Sequence, residues 1–140
     1  MFKFKNEVSE TICLLNLQSL TSNEHKRLVT LLDTLHGQNQ WPLFLELVKL
    51  NACDSLVYIN IQKHNLAIPA HIQTELKTTY DKVAKENSLR NAEAKEIFST
   101  LYQKQIPFVI LKGQALADSL YGSLYYKKMN DVDFIVQKSS

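Results

Sequence analysis

The sequence predicts a mainly helical α+β fold: an N-terminal helical bundle followed by a short strand–helix–strand segment. Two observations predict the helices. The 140 residues contain only three glycines and three prolines, and apolar residues recur at helical spacing as far as residue 103. The strands are predicted by an apolar, β-branched run after Pro107 and by a second run that ends at Val136. We therefore expect a helical region over residues 1–104 and a second region over residues 105–140.

Five helices are predicted in the first region. They cover residues 8–20, a stretch between Thr21 and Gly37, and residues 41–50, 55–63 and 70–103. The stretch Thr21-Ser22-Asn23-Glu24 offers capping residues for the second helix, and Gly37 is expected just past its end. Residues 55–63 equally permit a strand, because several of them are β-branched or aromatic. The last helix is either one piece or two pieces that join near Asn87.

The second region predicts a strand, a helix and a strand. Ile106–Leu111 is an almost continuous apolar run, which is typical of a strand buried on both faces. Gly113–Tyr121 has the period of a short helix, and Asp131–Val136 predicts the second strand. Alternation along that strand places Asp131 and Asp133 on one face and the apolar side chains of the other face in a core.

Composition and charge exclude several classes of protein. The net charge is +2, which gives no electrostatic reason to expect nucleic-acid binding. The first residues lack the apolar stretch and the cleavage site of a signal peptide, and no apolar run approaches about 20 residues. We therefore expect a soluble, cytoplasmic protein without a membrane partner. Cys13 and Cys53 fit no metal-binding spacing and are expected to be reduced core thiols.

Asp131 and Asp133 are candidate metal ligands. Two carboxylates about 6–7 Å apart along a strand repel each other when both are ionised. A divalent cation removes that repulsion, and hard oxygen ligands suit Mg²⁺. The alternative is that Asp131 is an ordinary turn residue and that Asp133 is solvated, since two aspartates at this spacing are common.

The stretch Leu111-Lys112-Gly113-Gln114 is a candidate anion site. A glycine between a strand and a helix lets the backbone approach a ligand, and the N–H groups of the helix N-terminus favour a phosphate. Lys112, or the pair Lys127 and Lys128, would add positive charge. The alternative is a tight turn that binds no ligand.

The C-terminal motifs resemble those of a known family. The sequence runs Ile-Leu-Lys-Gly-Gln-Ala-Leu over residues 110–116, has Tyr121, and then Met-Asn-Asp-Val-Asp-Phe-Ile-Val over residues 129–136. This order is similar to that of the uncharacterised nucleotidyltransferase family of the polymerase-β-like superfamily. The helical stretch around Trp41 also resembles the N-terminal region of that family.

The resemblance implies a partial nucleotidyltransferase palm and a role for each motif. Gly113 and Gln114 would line the phosphates of a nucleoside triphosphate, and Lys127 matches the basic position that precedes the aspartates. Asp131 and Asp133 would be the catalytic carboxylates that hold two Mg²⁺ ions. The implied reaction transfers a nucleoside monophosphate to a hydroxyl or phosphate of an unknown acceptor and releases pyrophosphate.

The resemblance also implies a third carboxylate on a later strand, which these 140 residues do not supply. Two explanations stay open: the sequence is a fragment of a longer protein, or it is a short relative that cannot catalyse unaided. A second hypothesis belongs to a different class. In it the chain is a non-catalytic helical interaction module or pseudo-enzyme that forms a homo-oligomer or binds a protein partner.

Overall fold

The structure is a computed structural model in which residues 6–111, 113, 123 and 125–137 are described. Its elements are α1 (Glu7–Leu15), α2 (Ser22–Gly37), α3 (Trp41–Leu50), α4 (Asp54–Lys63), α5 (Ala70–Gln103), β1 (Phe108–Ile110) and β2 (Phe134–Val136). This order confirms the mainly helical α+β class. The fourth element is a helix and not a strand, and α5 is one piece. In the described part of the chain, no helix is both long and apolar enough to cross a membrane.

The chain divides into two compact units, Met1–Tyr80 and Asp81–Ser140. We call them the N-terminal unit and the C-terminal unit. The sequence-based division into residues 1–104 and 105–140 follows the change from helix to strand, and it stays a prediction.

The N-terminal unit is built around one apolar cluster. Its buried members are Val8, Ile12, Leu15, Leu28, Leu32, Leu35, Trp41, Phe44, Val48, Val57, Ile61, Ile72 and Leu76. They recur three and four residues apart on each helix, which gives every helix one apolar face. A buried amide closes the end of α1, since Asn60 Nδ2 donates hydrogen bonds to the carbonyl oxygens of Leu15 (2.7 Å) and Leu17 (3.2 Å).

Four helices end at a left-handed residue that is not glycine. Asn39, Ala52, Asn65 and Gln105 follow α2, α3, α4 and α5, with φ between 50° and 55°. In each case the N–H of the following residue donates back to a carbonyl in the last turn of the helix, as Ile106 does to Leu101 at 2.9 Å. The expectation that Gly37 lies past the end of α2 is therefore wrong, because Gly37 is still helical.

The two strands of the C-terminal unit form an antiparallel pair. Phe108 is opposite Val136, and Ile110 is opposite Phe134. Both strands are shorter than expected, and β2 begins after Asp133. The predicted burial is wrong for both, because Val109 is 62% exposed and all three residues of β2 are exposed. An apolar run alone does not specify what covers it, and α5 covers only one face of this pair.

Phe98 of α5 provides that cover. Its ring stacks on Phe108 with 5.0 Å between ring centroids and meets Phe134 edge to face at 5.4 Å. Such aromatic pairs stabilise beyond the apolar area that they bury. One side chain of the helix therefore packs against both strands, while Val109 and Ile135 point to the opposite face.

Three predicted features differ from the structure or lie outside its described part. Cys13 is exposed, so its predicted place in the core is wrong. Cys53 is half-buried and packs against the apolar cluster of the N-terminal unit, and this burial raises the pKa of its thiol. Gly113 has a helical backbone, but the rest of the predicted helix lies outside the described residues. Lys112 and Gln114 also lie outside them.

Candidate functional site

The segment that leads into the two aspartates is held by one side chain of α5. Asn87 is fully buried. Its Nδ2 donates a hydrogen bond to the carbonyl of Lys127 at 2.8 Å, and its Oδ1 accepts one from the N–H of Met129 at 3.2 Å. Because a primary amide both donates and accepts, one residue satisfies two backbone groups of the segment. Asn87 thereby fixes the backbone two residues before Asp131.

The strand register places the glycine of the candidate anion site beside the first aspartate. The N–H of Leu111 donates to the carbonyl of Asp133 at 2.8 Å, which continues the pairing beyond β1. Gly113 lies two residues after Leu111, and Asp131 lies two residues before Asp133. A Cβ built on Gly113 would lie 4.0 Å from the carbonyl oxygen of Asp131. That distance is an ordinary contact, so the two residues adjoin, but space alone does not require glycine here.

The two aspartates have different surroundings. Asp131 is exposed, whereas Asp133 is half-buried and its carbonyl belongs to the strand pairing. Both precede β2, so they lie at the end of the pair nearest Gly113. Lys127, the predicted basic residue, is exposed on the segment that Asn87 holds.

A cavity of about 270 Å³ lies between α5 and the residues around Asp131. The helix contributes one face to it: Arg90, Glu93, Ala94, Ile97 and Phe98. The opposite wall is Asn130, Asp131, Val132 and Phe134. The cavity therefore has polar side chains and apolar side chains, and Asp131 joins it to the candidate metal site. Asp133 is not part of its lining.

The described residues contain no group of three or more His, Cys, Asp or Glu side chains that could hold a metal ion. The candidate metal ligands therefore remain the two carboxylates of Asp131 and Asp133. Glu93 lines the same cavity as Asp131, although its place on a helix gave no reason to expect it there. Carboxylate oxygens are the donor type that Mg²⁺ prefers, and Mg²⁺ uses one or two of them with water and substrate phosphate.

Most of the chain matches a known protein family. A family model described as an uncharacterised nucleotidyltransferase matches residues 37–140. The chain belongs to this family. The family match begins at the last residue of α2 and includes the whole C-terminal unit. No curated protein and no solved structure matches the chain.

The sequence did not predict the contributions of Asn87 and Arg90 to the candidate site. Asn87 looked like a helix break, but it lies four residues after Val83 and seven before Ala94, on the buried stripe of α5. A polar residue on an apolar stripe is a signal that it satisfies buried backbone. Arg90 gave no signal, because a lone arginine on a helix is usually solvated.

Proposed function

We propose that the C-terminal unit binds a nucleoside triphosphate together with Mg²⁺, as part of a nucleotidyltransferase that transfers a nucleoside monophosphate to an acceptor. The observation that carries the proposal is that Gly113 adjoins Asp131, since a Cβ built on Gly113 would lie 4.0 Å from the carbonyl oxygen of Asp131. A turn suited to an anion and a residue suited to a cation are thereby adjacent in a chain of this family. A metal-bound polyphosphate needs both kinds of group.

Asp131 and Asp133 would hold the metal ions. Bound Mg²⁺ supplies positive charge that offsets the charge of the phosphates and orients them for displacement. The tether from Asn87 limits the movement of the segment that carries these ligands, which lowers the ordering cost of binding. Because the carbonyl of Asp133 also belongs to the strand pairing, that pairing would help to hold the proposed metal ligands in place.

Gly113 and Gln114 would line the phosphates with backbone N–H groups, and Lys112 and Lys127 would add positive charge. Lysine offers a point charge rather than the two parallel hydrogen bonds of arginine. The proposed contribution of these residues is therefore mainly attraction of the anion. The third carboxylate that the resemblance implies is needed for transfer, so the proposal for these 140 residues concerns binding first.

The family match supports this function over the non-catalytic interaction module. A cytoplasmic location is part of the same proposal, since two free cysteines are usual in a reducing compartment.

The proposal is tested by thermal unfolding with Mg²⁺ and each nucleoside triphosphate. A ligand that binds only the folded state adds about 2.7 kcal/mol of stability at 100 times its Kd, which raises the melting temperature by several degrees. We expect this shift in the natural chain, and its loss when Asp131→Asn and Asp133→Asn are combined. Melting of the variant without ligand shows whether it is folded.

Glu96→Gln is the matched control, because Glu96 is an exposed carboxylate of α5 outside the cavity. It should keep the full shift. A natural chain whose melting temperature does not respond to millimolar Mg²⁺ and any of the four nucleotides would contradict the proposal. So would an equal shift in the Asp131→Asn, Asp133→Asn variant.

A further inference from the structure

The wall of the cavity beside Asp131 includes one arginine, Arg90, whose side chain is 30% exposed. Arg90 Nη1 is buried and has no hydrogen-bond partner in the described part of the chain. Nη1 forms an ion pair with Glu86, whose Oε2 is 3.8 Å away and beyond hydrogen-bond distance. A guanidinium carries five N–H donors, more than one long ion pair satisfies, so a ligand atom in the cavity that accepts a hydrogen bond from Arg90 would be favoured.

The charges of the wall limit what this ligand is. Arg90 is already ion-paired with Glu86, and the wall adds two carboxylates, those of Glu93 and Asp131. A phosphate or carboxylate placed in the cavity would meet more negative than positive charge, which disfavours an anion. A neutral group with both acceptors and donors suits this wall, because Arg90 donates, Glu93 accepts and Asn130 does both.

The apolar part of the wall limits the shape of the ligand. Ile97 and Phe134 are 47% and 37% exposed, and the other apolar residues of the lining are Ala94, Phe98 and Val132. These side chains lie on both sides of the cavity, on α5 and on the segment from Val132 to Phe134. A flat ring would cover apolar surface on both sides at once and present its polar edge to Arg90.

We propose that this cavity receives the nucleobase of the bound nucleotide, and that Arg90 donates a hydrogen bond to an acceptor atom on the edge of the base. This inference rests on the proposed function, because Asp131 belongs both to the cavity wall and to the metal site. Arginine pairs best with bases that present two neighbouring acceptors. Arg90 is therefore a residue that determines which base binds.

Nucleosides without phosphates test the cavity apart from the metal site. Adenosine, guanosine, cytidine and uridine are titrated into the isotopically labelled 140-residue chain without Mg²⁺, and the amide signals of Asn130 and Val132 are followed by NMR. We expect saturable shifts of these signals with at least one nucleoside. Arg90→Gln should weaken that binding about tenfold, as expected for a hydrogen bond to a charged group, and should change the order of preference among the four bases.

Two further variants separate charge, geometry and folding. Arg90→Lys keeps the charge but loses the planar group, so it should recover only part of the affinity. Lys82→Gln removes an exposed charge of α5 outside the cavity and should leave the titration unchanged. The amide spectrum of each variant without ligand shows that the C-terminal unit is folded.

The outcomes distinguish this inference from the proposed function. If no nucleoside shifts these signals up to millimolar concentration, or if Arg90→Gln binds as well as the natural chain, the base site is wrong. A Mg²⁺–nucleotide melting shift that persists unchanged in Arg90→Gln overturns the base site and leaves the metal site standing. Nucleoside binding without any Mg²⁺–nucleotide melting shift would support the base site and contradict the metal site.

Discussion

The two units of this chain are stabilised in different ways. The N-terminal unit shares one apolar cluster among all of its helices, and many side chains in it are completely buried. In the C-terminal unit the described buried side chains are only Val83, Asn87, Ala94 and Met129. Its exposed strand pair and its cavity depend on a few specific contacts, above all those of Asn87 and Phe98. Among the described residues, the candidate site therefore lies in the unit with fewer buried side chains, as is usual for regions that bind ligands.

The largest effect should come from the shared cluster. Phe44 is fully buried and meets Trp41 edge to face with 5.3 Å between ring centroids. Phe44→Ala leaves a cavity that the neighbouring helices fill only in part, so we expect a loss of about 3–5 kcal/mol in the free energy of unfolding. Urea unfolding followed by circular dichroism measures it. Leu43→Ala, at a position of the same unit that is 40% exposed, is the control and should cost much less. Equal costs would mean that burial in the shared cluster is not what stabilises the N-terminal unit.

A smaller and more local effect is expected in the C-terminal unit. Asn87→Ala leaves the carbonyl of Lys127 and the N–H of Met129 without their partner, which we expect to cost about 2 kcal/mol. Hydrogen exchange should show faster exchange of the Met129 amide, while the fluorescence of the single tryptophan, Trp41, still reports a folded N-terminal unit.

Ser88→Ala changes the exposed neighbour of Asn87 and should leave the Met129 exchange rate as it is. If Asn87→Ala instead unfolds the N-terminal unit, the two units are not independently stabilised and the comparison fails.

The smallest effect is expected when one left-handed residue in each unit is changed to glycine, which allows a direct comparison of the two units. Ala52 and Gln105 both have a left-handed backbone, which costs a non-glycine residue about 1–2 kcal/mol. Glycine removes that cost but loses more entropy on folding, so Ala52→Gly and Gln105→Gly should each gain about 0.5–1 kcal/mol. Ala52→Gly should raise the unfolding midpoint reported by Trp41, and Gln105→Gly should slow exchange only at amides of the C-terminal unit.

Ala92→Gly, at an exposed interior position of α5, is the opposite control. It should lose about 1 kcal/mol, because glycine in a helix interior has no strain to relieve. A loss of stability in Ala52→Gly would mean that its left-handed backbone is not a source of strain.

The helices could be predicted because their signals are local. Pro42 in the first turn of α3 and the apolar spacing of α5 each act within a few residues. The aspartate and glycine motifs were found for the same reason. The contact between Asn87 and Met129 spans 42 residues of sequence, and no local pattern specifies it. The exposure of β2 was missed because alternation shows that a strand has two faces, but not which neighbour covers them.

Phe98 has a consequence for the response of the site to its ligand. The same ring forms part of the cavity wall and packs against both strands. A ligand that fills the cavity would restrain that ring and so oppose separation of β1 from β2. By reciprocity, any event that separates β1 from β2 would weaken the binding of the ligand. Ligand binding in the cavity and pairing of β1 with β2 are thus thermodynamically coupled.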